Sequence, residues 1–224
     1  MKIIARIEND FKEKFGIPRQ SGVADTLISR IVFEPEYRVK EALRGIEGFS
    51  HLWLIWEFSE AKSEKWSPTV RPPRLGGNKR MGVFATRSPY RPNSIGLSSV
   101  RLLGIEETKE YGSVLLVSGA DLLNGTPIYD IKPYLAFTDS HPDAIGGFAD
   151  VVREDKLTVE IDGTLLSKVD KEKQKGLLAI LKGDPRPSYQ DDPDRIYGMK
   201  FADYEIFFKV SEYKLEVINI EVLK

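Results

Sequence analysis

Short runs rich in β-branched, aliphatic and aromatic residues, each closed off by glycine, proline or charge, follow one another through the first half of the chain. They are Ile3–Ile7, Thr26–Val32, His51–Phe58, Met81–Thr86, Ser98–Gly104 and Ser113–Leu122, and each has the length and composition of a strand. A helix is expected only at Tyr37–Arg44, where Gly45 would end it. Many short strands with few helices argue against a doubly wound sheet. They point to a mainly β fold, either a small barrel or a sandwich.

The pattern changes after about Ala149. Leu157–Ile161 reads as a strand, Lys171–Lys182 as a helix stopped by Gly183, and Asp184–Asp194 (DPRPSYQDDPD) as a proline-punctuated loop. Alternating strands then fill Met199–Phe208 and Tyr213–Val222. The expected organisation is a main β domain over residues 1–145 and a small C-terminal α+β domain over residues 146–224, which the 224-residue length accommodates.

Composition removes several function classes. With no cysteine there is no disulfide, thiolate nucleophile, thiolate zinc site or cysteine-held iron–sulfur cluster. The only histidines are His51 and His141, too few for most metal triads, so no metal is expected. The longest apolar run, Phe49–Phe58, is broken by His51 and Glu57 and falls far short of a bilayer span. The opening MKIIARIEND has no cleavage pattern, and a cytoplasmic protein without membrane contact is expected.

Charge is segregated. The chain has 33 basic and 34 acidic residues, yet Lys65–Ile105 holds eight Lys or Arg and no Asp or Glu, together with five Pro and five Gly. Glycines at 76, 77 and 82 allow a backbone to approach a ligand closely. Arg71, Arg74, Lys79, Arg80, Arg87 and Arg91 suit phosphates, and Phe84 and Tyr90 lie among them as aromatics do where unpaired bases stack. An RNA or another phosphate-bearing ligand is the reading these residues favour over a solvated turn-rich loop. Neither GxGxxG after a strand nor GxxxxGK[ST] occurs.

The second informative stretch is Ser118–Leu135 (SGADLLNGTPIYDIKPYL). Asn124–Gly125 signals a tight hairpin turn, which would bring Asp121 and Asp130 to one end, as an acid–base pair or as local caps. Asp130, Lys132 and Tyr134 share one face of an extended strand, as a polar binding patch or a salt-bridged rim. His51, between Ser50 and Leu52, reads as a packing residue.

The runs PRQ (Pro18–Gln20), FSHLW (Phe49–Trp53), VRPPRLGG, GVFATRSPYRPNSIGLS, NGTPIYDIKPYL and DPRPSY resemble those of the TsaA/TrmO family of S-adenosylmethionine-dependent tRNA methyltransferases. The resemblance spans nearly the whole chain. It implies a small β-barrel that binds S-adenosylmethionine without a Rossmann sheet, assembled as a homodimer. The implied reaction is methylation of N6 of N6-threonylcarbamoyladenosine at position 37, immediately 3′ of the anticodon of threonine tRNA.

Carried over by motif, the cofactor contacts are Pro18, Arg19, Gln20, Arg87, Leu97 and the segment Ser118, Gly119, Ala120 and Asp121. Ser59 and Glu60 stand where a family member carries His-Gln and are assigned to the same site. Asp130 is the expected proton acceptor, with Lys132 holding the threonyl carboxylate and Tyr134 orienting the base. Arg71, Arg74, Lys79, Arg80, Arg91 and Arg186 are the expected contacts to the anticodon stem-loop. The loop Asp184–Tyr189 would close over substrate, meet a second subunit, or serve as a rigid connector. Two rival readings keep the fold: a non-catalytic RNA-binding module, and a methyltransferase for another nucleotide or a small molecule.

Overall fold

The computed structural model describes residues 1–61, 66–72, 75, 79–151, 157–186 and 192–223. The first strands are β1 (Ala5–Glu8), β2 (Ile28–Phe33) and β3 (His51–Glu57), followed by the short β4 (Thr69–Val70) and β5 (Met81–Gly82). Next come the long β6 (Ile95–Thr108), then β7 (Gly112–Ser118) and β8 (Pro127–Pro133). Single turns α1 (Ala136–Asp139) and α2 (Phe148–Val151) lead to β9 (Thr158–Glu160), α3 (Gly163–Leu166) and α4 (Lys171–Lys182). The chain finishes with β10 (Tyr197–Phe201), β11 (Tyr204–Ser211) and β12 (Lys214–Val222).

Six strands pair in the order β1-β2-β7-β6-β3-β8 and return to β1, closing a barrel in which every pairing is antiparallel. Closure removes the open edges that a small sheet would otherwise expose. The alternation of β3 shows why the wall forms: Leu52, Leu54 and Trp56 point inward while His51, Trp53, Ile55 and Glu57 point out. Ile7, Ile31, Val100, Leu115, Val117 and Ile128 fill the interior around them. A register shift between Ile55 and Trp56 leaves Tyr129 as an extra residue on β8. This bulge turns that strand as it leaves the barrel end.

Three local expectations are corrected. Tyr37–Arg44 is not one helix; 3-10 turns occupy Pro35–Tyr37 and Lys40–Leu43. Only Leu43 is buried in this stretch, so it has no apolar stripe to bury, and eight residues cannot hold a helix without one. Met81–Thr86 is a strand only at Met81–Gly82, because Val83 drops into the core and starts a 3-10 turn. Asn124–Gly125 closes no hairpin, since β7 and β8 are not partners. That turn instead docks on the segment after β1: Gly125 donates to the Ile7 carbonyl at 2.7 Å and Asn124 to that of Phe11 at 2.8 Å.

The second body is a four-stranded sheet in the order β10-β11-β12-β9, antiparallel except that β9 runs parallel to β12. Leu177, Leu181, Met199, Phe201, Ile206, Phe208 and Leu215 form its core with α4. Phe11, Ala24 and Leu27, from the segment between β1 and β2, belong to that same core. Asp10 reinforces the join, accepting from Lys173 of α4 at 2.6 Å while its carbonyl accepts the Ala202 amide at 3.0 Å. Residues 10–27 therefore tie the barrel to the C-terminal sheet.

Gly176 marks the closest approach of α4 to that segment. A Cβ there would lie 2.9 Å from Leu27 Cδ1 and nearer still to its Cγ and Cδ2. Alanine gains about 1 kcal/mol in a helix interior, but overpacking against buried Leu27 costs about 1–3 kcal/mol. Gly176→Ala is therefore expected to lower the urea unfolding midpoint, with a net loss of about 1 kcal/mol. A raised midpoint would show that Leu27 swings aside freely. Among the described residues no helix is long and apolar enough to cross a membrane.

Candidate active site at one end of the barrel

Four segments far apart in sequence meet where β3 and β7 end and β2 and β6 begin. On the inner face of β6 the inward positions run Gly96, Ser98, Val100 and Leu102, so a hydroxyl stands where an aliphatic core residue would normally be. Trp56 donates its indole N–H to Ser98 Oγ at 3.0 Å, and Ser98 donates to Asp121 Oδ1 at 2.6 Å. Burial pushes the Asp121 carboxyl above its ordinary range, opposed by the Ser98 hydroxyl, its own backbone, the Arg87 charge and the Ser21 backbone. A half-buried carboxylate facing an exposed guanidinium is thus present at this end.

Part of the expected cofactor set meets here. Ile28 of β2 pairs with Ser118 of β7, and Gly22 donates to the Gly119 carbonyl at 2.8 Å. Gly119 has φ of +77°, and a Cβ on it would lie 3.2 Å from the Gly22 backbone, so no other residue suits this crossing. Ala120 is buried beside it. Ser59 and Glu60 lie exposed on the turn after β3, where Lys14 bonds the Glu60 carbonyl at 2.8 Å and sits 3.4 Å from its carboxylate. Pro18 is buried and Gln20 half-buried. Arg19 reaches away, donating to the carbonyls of Asp184 and Arg186 at 3.2 and 3.0 Å.

Leu97 takes the opposite face of β6 and is 56% exposed. It pairs across β3 with Ile55, whose other neighbour is Asp130. The outer wall thus carries a row of Leu97, Ile55 and Asp130. Lys132 is 3.0 Å from Asp130 and lies opposite Trp53. Tyr134 packs on Trp53 with ring centroids 5.5 Å apart and meets His51 at 6.2 Å. Asp139 accepts from the Leu135 amide and the Trp53 indole, which hold its carboxyl below the usual range. Burial and the neighbouring Glu57 push the Tyr129 phenol up to about 12, which rules it out as a base near neutrality. Asp121 and Asp130 stand on different faces of the wall, because the hairpin that would pair them does not form.

The cations fall into two sets. Arg71, Lys79 and Arg80 are exposed, with Arg80 donating to Thr69 Oγ1 at 2.7 Å. Arg91 bonds the Thr86 carbonyl at 3.0 Å and lies 6.0 Å from the Phe84 ring. Arg186, expected at the stem-loop, is 9% exposed and grips Asp184 with two bonds of 2.9 Å. Arg74 and Tyr189 lie outside the described residues. Among the described residues no cluster of His, Asp or Glu could hold a metal ion.

Sequence reading missed Ser98, Trp56 and Ser21. The available signal was the Gly96–Ser98 pair at inward positions of a strand, where bulk is expected and its absence leaves room for an indole.

Residues 6–140 match the family model of the tRNA-methyltransferase O N-terminal domain, and residues 154–223 that of its C-terminal domain. A "tRNA (adenine(37)-N6)-methyltransferase" from Escherichia coli strain K12 is 40% identical over 97% of this chain and 96% of its own. A "Putative S-adenosylmethionine-dependent methyltransferase RcsF" from Pseudomonas aeruginosa is 40% identical over 91% of this chain and 89% of its own. The crystal structure of TrmO from Pseudomonas aeruginosa superposes with a TM-score of 0.79 at 33% identity, covering 98% of this chain and 95% of that one. Two family matches that together span most of the chain agree with relatives that are 40% identical over nearly its whole length: this chain belongs to the tRNA-methyltransferase O family.

Proposed function

We propose that the barrel end around Asp121 holds S-adenosylmethionine. The chain is a tRNA adenine-N6 methyltransferase that uses this cofactor and acts at position 37. The observation that carries the site is the convergence of Ser21, Arg87 and Ser98 on the half-buried Asp121 carboxylate, with Gly22 bonded to Gly119 beside it. These groups suit a zwitterionic ligand: Arg87 complements a carboxylate and Asp121 an ammonium or ribose hydroxyl. When bound, S-adenosylmethionine supplies a methyl group already activated on sulfonium.

The protein's task is then placement and proton removal. In-line positioning contributes up to roughly 7–11 kcal/mol. The substrate nitrogen, N6 of N6-threonylcarbamoyladenosine in threonine tRNA, carries a proton and shares its lone pair with a carbonyl. Asp130 would take that proton as the nitrogen accepts the methyl group that bound S-adenosylmethionine supplies, a contribution of about 10²–10⁴-fold. Lys132, 3.0 Å from Asp130, receives the threonyl carboxylate, which competes for the ammonium and leaves Asp130 to accept the proton. Tyr134, fixed against Trp53, orients the base. The enzyme works as a homodimer in the cytoplasm, with residues 1–145 carrying the chemistry and residues 146–224 forming a small C-terminal domain.

Nucleoside mass spectrometry of threonine tRNA, incubated with the protein and S-adenosylmethionine, tests this reading. One tRNA sample bears the threonylcarbamoyl group and the other lacks it. One added methyl in the modified sample alone is expected, since a site built to pair the carboxylate rejects a base without it. Methyl gain in both samples would remove Lys132 as the selecting group. Gain in neither, with tRNA still bound, would make the chain a binding module.

A further inference from the structure

We propose that Trp66 and Phe84 form a platform on which an unpaired base of the tRNA anticodon loop stacks. The proposal rests on the reading of the chain as a tRNA methyltransferase and names the surface that receives the loop. Phe84 is 72% exposed and Trp66 52%, although such side chains ordinarily dominate cores and interfaces. Their backbone is held in place. The β4–β5 pairing sets Thr69 against Gly82 and Val70 against Met81, which carries Trp66 and Phe84 to the same end of this small ribbon. Val83 anchors the turn beneath Phe84, being buried itself and donating to the Pro68 carbonyl at 2.9 Å.

The rings are arranged as a surface. Trp66 and Phe84 lie 6.2 Å apart with planes 32° apart, and the Arg91 guanidinium stands 6.0 Å from the Phe84 ring. Arg91 is fixed in turn by the Thr86 carbonyl at 3.0 Å. Charge selects the occupant: Lys65–Ile105 has eight basic residues and no acidic one, which fits a polyanion whose bases present flat faces. Aromatic rings beside cations are how single-stranded nucleic acids are held without base-edge contacts. Phe84 precedes Arg87 by one short turn, so the platform belongs to the loop that delivers Arg87 to Asp121. A base next to the methylated one is the occupant this placement fits.

Trp66→Ala and Phe84→Ala test the proposal in the full chain, with an anticodon stem-loop RNA and a blunt RNA duplex as probes. Each variant is expected to bind the stem-loop about tenfold more weakly, with Trp66→Phe close to the unaltered protein. The salt dependence of binding stays unchanged, because stacking releases no counterions, whereas Arg80→Ala flattens it. Duplex binding and S-adenosylmethionine affinity stay the same. Unchanged stem-loop affinity, or an equal loss on the duplex, overturns the platform. RNA affinity kept with altered self-association also overturns it and gives the surface to a second copy of the chain. If the unaltered protein neither binds nor methylates tRNA, the underlying functional reading fails, a result distinguishable from either of these.

Discussion

Asp121→Asn is expected to bind S-adenosylmethionine about 10- to 100-fold more weakly while melting no earlier than the unaltered chain at neutral pH. The first half follows from losing a charge-assisted hydrogen bond, worth roughly 1.5–3 kcal/mol. The second follows from the direction of the pKa shift. Burial raises the folded-state value of Asp121 above its ordinary one, so between the two values the folded chain holds more protons than the unfolded chain. Stability therefore falls as pH rises through that interval, and at neutral pH the ionised carboxylate is a net cost. Asparagine removes this cost and still offers Ser98 an oxygen at the position that now accepts at 2.6 Å. Calorimetric melting from acid to neutral pH, beside cofactor titration, checks both halves: the difference in melting temperature should grow in the variant's favour as pH rises. A variant that melts earlier yet binds cofactor normally would make Asp121 a structural group.

Gly96→Ala is expected to lower the melting temperature by about 3–10 °C and to reduce methyl transfer by more than that loss of stability explains. A Cβ at Gly96 would lie 2.6 Å from Trp56 Cδ2 and closer still to two other indole carbons. The indole is rigid, 6% exposed and backed by Phe58 with ring centroids 4.2 Å apart, so it cannot yield as a flexible side chain would. Overpacking of this kind costs about 1–3 kcal/mol, at about 2–4 °C per kcal/mol for a chain of this size. Any indole displacement also draws its N–H off Ser98, the hydroxyl that holds Asp121. Adding Trp56→Phe should relieve the clash and restore part of the melting temperature, though not the activity. Equal recovery of both would show that the indole hydrogen bond does not position Asp121.

Strand β3 was legible because HLWLIWE is a short run of aliphatic and aromatic residues of strand length, while which of them face inward was settled by the dry barrel interior. The helix at Tyr37–Arg44 was misread because its residues resemble a short helix, while the fold gives it no surface to bury beyond Leu43. Asn124–Gly125 has strong turn chemistry, but a turn does not decide whether the strands on either side of it pair. Here it docks on the carbonyls of Ile7 and Phe11. Arg186 reads in sequence as one more cation in a polar loop, and only the structure shows its guanidinium bonded to Asp184 and largely buried.

The sequence by itself determined the local periods, the absence of cysteine chemistry, the gathering of positive charge and the family, because these depend on residue identity and short spacing. The tertiary structure decided which segments meet. Strand order closes β8 on β1, carries Gly22 against Gly119, and aims Trp56 and Ser98 inward at Asp121. The same closure sends Asp130 and Lys132 to the outer wall. Those outcomes come from long-range pairing and shared burial, which no stretch of neighbouring residues encodes alone.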